Sequence, residues 1–151
     1  MDLFSKLLQT KHFEFSAKCG KKSLTGWNGH GHGTVIVQQN DNTITFKEDG
    51  SFKLDSSTKV LSISNEYIWQ KIDTNRISLS HARFGYSNLV KLFDLIRIDD
   101  NLWQSEQEHV CVDDLYSAVI EIFTEQIKLD WQILGPKKDE KITYNYKLES
   151  I

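Results

Sequence analysis

Ile127-Lys-Leu-Asp-Trp-Gln-Ile133, Gly135-Pro-Lys-Lys-Asp139 and Ile142-Thr-Tyr-Asn-Tyr-Lys-Leu148 follow one another near the carboxyl end of the chain. The first and third alternate apolar and polar residues, the period of a strand that buries one face. The pentapeptide between them contains the sole proline of the sequence. Pro136 fixes φ, and Gly135 permits a backbone that other residues adopt only under strain, so the segment reads as a hairpin connection built to one shape. It places two ammonium groups and a carboxylate at one rim of a sheet.

The same rhythm runs outward through most of the chain. Phe13, Phe15, Ala17 and Cys19 share one face of a strand. Thr34–Val37 ends at the turn signal Asn40-Asp41-Asn42, and Thr43–Lys47 meets Glu48-Asp49-Gly50, which reads as a hairpin with a glycine available for positive φ. Val60 to Trp69 sets Leu61, Ile63, Tyr67 and Trp69 on one side, and Asp73-Thr74-Asn75 turns the chain into Arg76–His81. Leu89 to Ile98 is too continuously apolar for its faces to be told apart. After the turn at Asp99-Asp100-Asn101 come two short pieces, 102–106 and 108–112, and then Leu115 to Phe123. Only Leu3, Phe4, Leu7 and Leu8 recur at helical spacing, so residues 2–9 are expected to form one short amphipathic helix. About ten short strands with compact turns and no long crossover predict an all-β fold. The expected form is an antiparallel up-and-down meander that closes into a barrel and so removes its own edges. A barrel of that strand number has room for a ligand inside.

Composition sets the frame. A chain of 151 residues fits a single domain, here 1–151, with enough length to bury a core. Its 39% hydrophobic and 26% charged residues are those of a globular protein, and the formal charge of -3 disfavours general nucleic-acid binding, which needs a basic face. Clusters at Lys18, Lys21 and Lys22 and at Lys137, Lys138 and Lys141 read first as solvated loop charges. Cys19 and Cys111 provide no disulfide framework. The start Met-Asp-Leu-Phe-Ser-Lys-Leu-Leu lacks a basic segment followed by a long apolar one, and no apolar run is long enough to span a bilayer. Together these features point to a cytosolic protein with reduced thiols.

Period-two counting also places candidate chemistry. If the strand Ile77-Ser-Leu-Ser-His81 continues, His81 and Arg83 fall on the inward face with Ile77 and Leu79, as a polar patch at one barrel mouth. A ligand contact competes there with an internal hydrogen-bonded pair. Tyr116, Trp131, Tyr144 and Tyr146 sit on the apolar faces of the last three strands, each with an apolar body and a polar tip. With Arg83 and Lys137 or Lys138 they are suited to an amphipathic acid, and as ordinary aromatic core they need no ligand. His109 and Cys111 share a face with Asp113 or Asp114 nearby, which offers metal ligands, an activated thiolate, or simply local hydrogen bonds that fix the loop before Tyr116. His30-Gly-His32 offers two imidazoles for metal or haem, or else glycines at 29, 31 and 33 that let the wall bend. No nucleophile triad, paired-carboxylate signature or phosphate-cradling glycine motif is present.

One set of residues carries a family resemblance. His109-Val-Cys111-Val-Asp-Asp114-Leu-Tyr116, Trp131-Gln-Ile-Leu-Gly135-Pro-Lys-Lys-Asp139 and Tyr144-Asn-Tyr146 resemble the pattern His-x-Cys-x-x-Asp-x-Tyr, Trp-x-Val-x-Gly-Pro-Arg-Lys-Asp and an aromatic last strand, found in a family of small, mostly bacterial proteins of unknown function. The likeness is close over the last third and looser upstream, at Gly26-Trp27, Gly31 and Gly33. Ile133 stands for the family's Val and Lys137 for its Arg, which replaces a bidentate fork by a point charge. The resemblance implies a lipocalin-like barrel, similar in architecture to lipid carriers such as the fatty-acid-binding proteins and to haem-containing barrels. It supports fold more than function.

The leading expectation is a cytoplasmic barrel that holds a small amphipathic or aromatic ligand. Arg83 and Lys138 would compensate charge, His81, Tyr116 and Tyr146 would donate hydrogen bonds, Trp131 would stack, and Tyr144 would line the wall. The rivals are an enzyme using His109, Cys111 and Asp114, or His81, in the same cavity, and an interaction module using the Gly135–Asp139 rim. The cofactor, if any, is left open, and no metal set is assigned.

Overall fold

The computed structural model describes residues 2–21, 23, 26–106, 109–111 (as backbone) and 114–149. A short helix α1 (Leu3–Leu7) precedes eleven strands: β1 (Thr10–Cys19), β2 (Gly29–Asn40), β3 (Thr43–Leu54), β4 (Val60–Asp73), β5 (Arg76–His81), β6 (Val90–Asp99), β7 (Leu102–Ser105), β8 (His109–Cys111), β9 (Asp114–Ile122), β10 (Gln126–Leu134) and β11 (Asp139–Leu148). Every pairing is antiparallel, and nearly all join strands adjacent in sequence. The exceptions close the sheet. β11 returns to β1, with Phe13 opposite Tyr146 and Phe15 opposite Tyr144. β7 and β8 both lie along β9, Trp103 opposite Ile120 and His109 opposite Tyr116, so they fill one wall position in two pieces. The result is a closed ten-position meander barrel with one N-terminal helix. Among the described residues no helix is long and apolar enough to cross a membrane.

α1 stops one end. Asp2 caps it by accepting from the Ser5 N–H at 2.8 Å, and Leu3, Phe4 and Leu7 are buried. Lys6 Nζ donates to the Thr124 carbonyl at 3.1 Å, and Lys71 lies over the Phe4 ring, so the helix is tied to the β4 and β9–β10 rims. It is shorter than the 2–9 span expected from the sequence, because Thr10 already pairs with Leu148 in the barrel wall.

The hairpin expected at Glu48-Asp49-Gly50 does not exist. β3 runs unbroken from Thr43 to Leu54 and pairs with β2 throughout, from Asn40 opposite Thr43 to Gly29 opposite Leu54. Gly50 serves close approach rather than a turn. It faces Gly33, and a Cβ on either would stand 2.1 Å from a backbone oxygen of the other strand. The chain reverses instead at residues 55–59. At the Gly135–Asp139 connection Leu134 pairs with Asp139, and the Gly135 N–H donates to the Lys138 carbonyl at 2.8 Å. Positive φ among the described residues falls at Gly26, Asp41 and Gly85, so Gly135 does not need its glycine for a left-handed backbone.

Candidate functional site

The barrel has a solid half and a hollow half. Toward α1, large side chains such as Ile44, Phe46, Trp69, Leu95, Trp103 and Ile120 fill the interior and are almost wholly buried. Toward the other end the inward row of β2 becomes Gly33, Gly31 and Gly29, and that of β3 becomes Gly50. Gly31 and Gly29 make room for the Phe15 and Phe52 rings, and across the barrel a cavity of about 820 Å³ opens at the mouth formed by the ends of β5 and β10 and the starts of β4, β6, β9 and β11.

One wall is aromatic. Trp131 and Ile133 on β10, Ile142 and Tyr144 on β11 and Tyr116 on β9 face the space. Trp131 packs at 5.5 Å from Phe93 and 6.2 Å from Tyr67, while Tyr144 stacks on Phe15 at 4.9 Å. Gly31 makes room for that stack, since a Cβ there would lie 2.2 Å from the Phe15 ring.

The mouth is polar on the opposite side. His81 ends β5 and lines the cavity. The Arg83 N–H donates to its Nδ1 at 3.3 Å, which makes Nδ1 the acceptor and leaves the ring proton on Nε2 when the imidazole is neutral. The strand does not continue to Arg83 as expected: β5 ends at His81, and Arg83 lines the cavity from the exposed turn that follows. Its guanidinium lies 5.9 Å from the Phe84 ring, and no carboxylate pairs with it among the described residues. It is the only arginine or lysine among the lining residues.

Lys138 is placed differently. Its Nζ lies 3.2 Å from Asp114, and that partner raises the ammonium above its ordinary range. The pair bridges the β10–β11 connection to the start of β9, outside the cavity wall. The side chains of His109 and Cys111, and Asp113 entirely, lie outside the described residues. The backbone sets His109 opposite Tyr116 and Cys111 opposite Asp114. His30 and His32 point outward, and His30 Nδ1 lies 3.3 Å from Asp55. Among the described residues no three His, Cys, Asp or Glu side chains are grouped as a metal site requires.

Between the solid and hollow halves is a residue that a turn reading conceals. Glu48 points inward from β3 and is fully buried. Tyr146 donates its hydroxyl to Glu48 Oε2 at 2.6 Å. Oε1 is buried without a hydrogen-bonding partner, although Asn65 stands directly across the β3–β4 pair and pulls the pKa of the carboxyl partly back down. Burial dominates and pushes the Glu48 carboxyl up to about 7, with the Tyr146 and Asn65 contacts opposing it. Burial also raises the Tyr67, Tyr144 and Tyr146 phenols, and the negative charge of Glu48 adds to the effect on each. Its position was readable, since Ile44, Phe46 and Glu48 alternate on one face; the adjacent Asp-Gly hid it.

A model of a family of unknown function matches residues 13–148. The chain belongs to that family, DUF6314. The matched span opens in β1, at Phe13, and ends on the last residue of β11, so it takes in nearly all of the barrel wall and leaves α1 outside. No curated protein matches the chain. The DUF6314 barrel offers its cavity and the side chains around it as the candidate site.

Proposed function

We propose that the barrel binds a small, largely apolar or aromatic molecule in its hollow half, with a polar or anionic group of that molecule held at the mouth. The observation that carries this reading is the cavity of about 820 Å³, apolar and aromatic on one side and with a few polar groups converging on the other. Small-molecule sites have this character and occupy roughly 300–1,000 Å³. In the proposed pose Trp131 and Tyr144 stack against the ligand body, Tyr116 and His81 supply hydrogen bonds, and Arg83 meets the outer charge. The carboxylate of Asp114 engages Lys138, so charge compensation rests on Arg83. Tyr146 contributes from below through Glu48 rather than by touching the outer group.

The test is native mass spectrometry of the protein as purified, joined to titrations with a long-chain fatty acid, haem and anilinonaphthalene sulfonate, read by tryptophan emission. Binding of at least one species is expected, and Arg83→Ala should weaken the anionic ligands several-fold. A folded barrel that carries nothing and responds to none of the three would overturn the reading.

A further inference from the structure

Glu48 is costly as it stands. A carboxyl group withdrawn from water needs partners for its oxygens, and an orphaned oxygen in a folded protein calls for an explanation. β2 contributes only Val35 opposite it, β4 contributes Asn65 and Tyr67, and β11 contributes Tyr144 and Tyr146. None of these is a cation, and no ion pair reaches Glu48 among the described residues. Glu48 does not itself line the cavity, but its neighbours do. Asn65, its cross-strand neighbour, lines the cavity, as do Tyr67 and Tyr144, the two phenols besides Tyr146 that feel its charge. The next inward position of β3 toward the mouth is Gly50, which has no side chain to seal Glu48 off.

We propose that Glu48 is the inner anchor of the cavity and takes the ammonium group of a small amine whose apolar or aromatic body lies against Trp131. This rests on the cavity reading above and specifies the ligand's inner end. An ammonium group supplies both the missing donor for Oε1 and the missing positive charge. The same step moves a proton. A carboxyl that is about half protonated near neutral pH ionises when the cation arrives, and its proton leaves to solvent.

Phenethylamine, phenethyl alcohol and phenylacetate share one ring and differ in the terminal group. Titration of each into the full chain at neutral pH, by calorimetry and tryptophan emission, separates the outcomes. The amine is expected to bind about tenfold or more tighter than the alcohol, the scale of a hydrogen bond to a charged group. Glu48→Gln should erase that preference. Repeating the amine titration in buffers of different ionisation enthalpy should show about half a proton released per site in the native protein and none in Glu48→Gln. If Glu48→Gln does not fold, the proton count on the native chain alone decides: amine binding without proton release overturns the proposal. Equal affinity for amine and alcohol, or a preference that survives Glu48→Gln, also overturns it. Binding of phenylacetate or the alcohol with no binding of the amine sinks the anchor and leaves the cavity reading standing. Binding of none of the three removes the anchor, and the wider ligand panel then decides the cavity.

Discussion

Replacing Glu48 by Gln should change the pH dependence of stability more tellingly than stability at any one pH. Glutamine keeps the shape of the protonated acid and never ionises. In the native protein folding raises this carboxyl from an ordinary 4.5 to about 7, chiefly because it is buried. The folded state therefore holds a proton that the unfolded chain has already released. Below about pH 4.5 both states are protonated and the contribution of Glu48 is fully present. It is lost as pH rises toward 7 and stays lost above that. An interval of about 2.5 in pH, at about 1.4 kcal/mol each, amounts to roughly 3 kcal/mol. Urea denaturation of both proteins at several values between about pH 4.5 and pH 8 isolates this term, because every other titrating group is common to both. The stability of Glu48→Gln relative to the native chain should climb by roughly 3 kcal/mol across that range. A difference that stays flat within about 1 kcal/mol, or that falls, would show that the carboxyl is not held in a dry, unpaired setting.

Three further outcomes follow from neighbouring contacts. Tyr146→Phe removes the 2.6 Å hydrogen bond and should cost about 1–3 kcal/mol in chemical denaturation, while moving the Glu48-dependent pH transition further upward, since that bond holds the carboxyl down. Gly33→Ala sets a methyl group 2.1 Å from the Asp49 carbonyl, where only backbone can give way, and should lower the melting temperature by more than Gly31→Ala, whose methyl meets the movable Phe15 ring at 2.2 Å. Leu7→Ala should cost about 2–5 kcal/mol by hollowing the fully buried plug, yet leave ligand affinity at the far mouth unchanged in the same titrations.

Much of the architecture was legible because alternation is a local signal. Ile127, Leu129, Trp131 and Ile133 announce a buried strand face without reference to any other part of the chain, and the structure places all four inside the barrel. Closure was inferred from the lack of long crossovers, and the pairing of β11 with β1 supplies it. Glycine is an ambiguous signal, since inside a strand it marks close backbone approach as readily as a turn. Gly50 after Asp49 has the composition of a hairpin, but its role depends on Gly33, seventeen positions away in sequence and directly opposite in space. The candidate site was legible in part. His81, Tyr116, Trp131 and Tyr144 converge on one cavity because period two carries each of their strands inward at the same end, whereas Arg83 reaches it from the turn after β5, not from a continued strand. Lys138 could not be assigned from spacing, because its partner Asp114 belongs to another hairpin. Glu48 was missed because a charged residue beside Asp-Gly looks solvated until the strand is known to continue through it.

The central claim is that the mouth half of this barrel is an accessible hollow suited to an apolar body with a charged end. A cavity-filling substitution tests it most directly. Ile142 lines the hollow and is only partly buried, so Ile142→Trp should occupy that space without disturbing the solid half. Titration with anilinonaphthalene sulfonate should give saturable one-to-one binding to the native barrel and little or none to Ile142→Trp at an unchanged melting temperature. Equal binding to both proteins, or none to the native one, would contradict the claim.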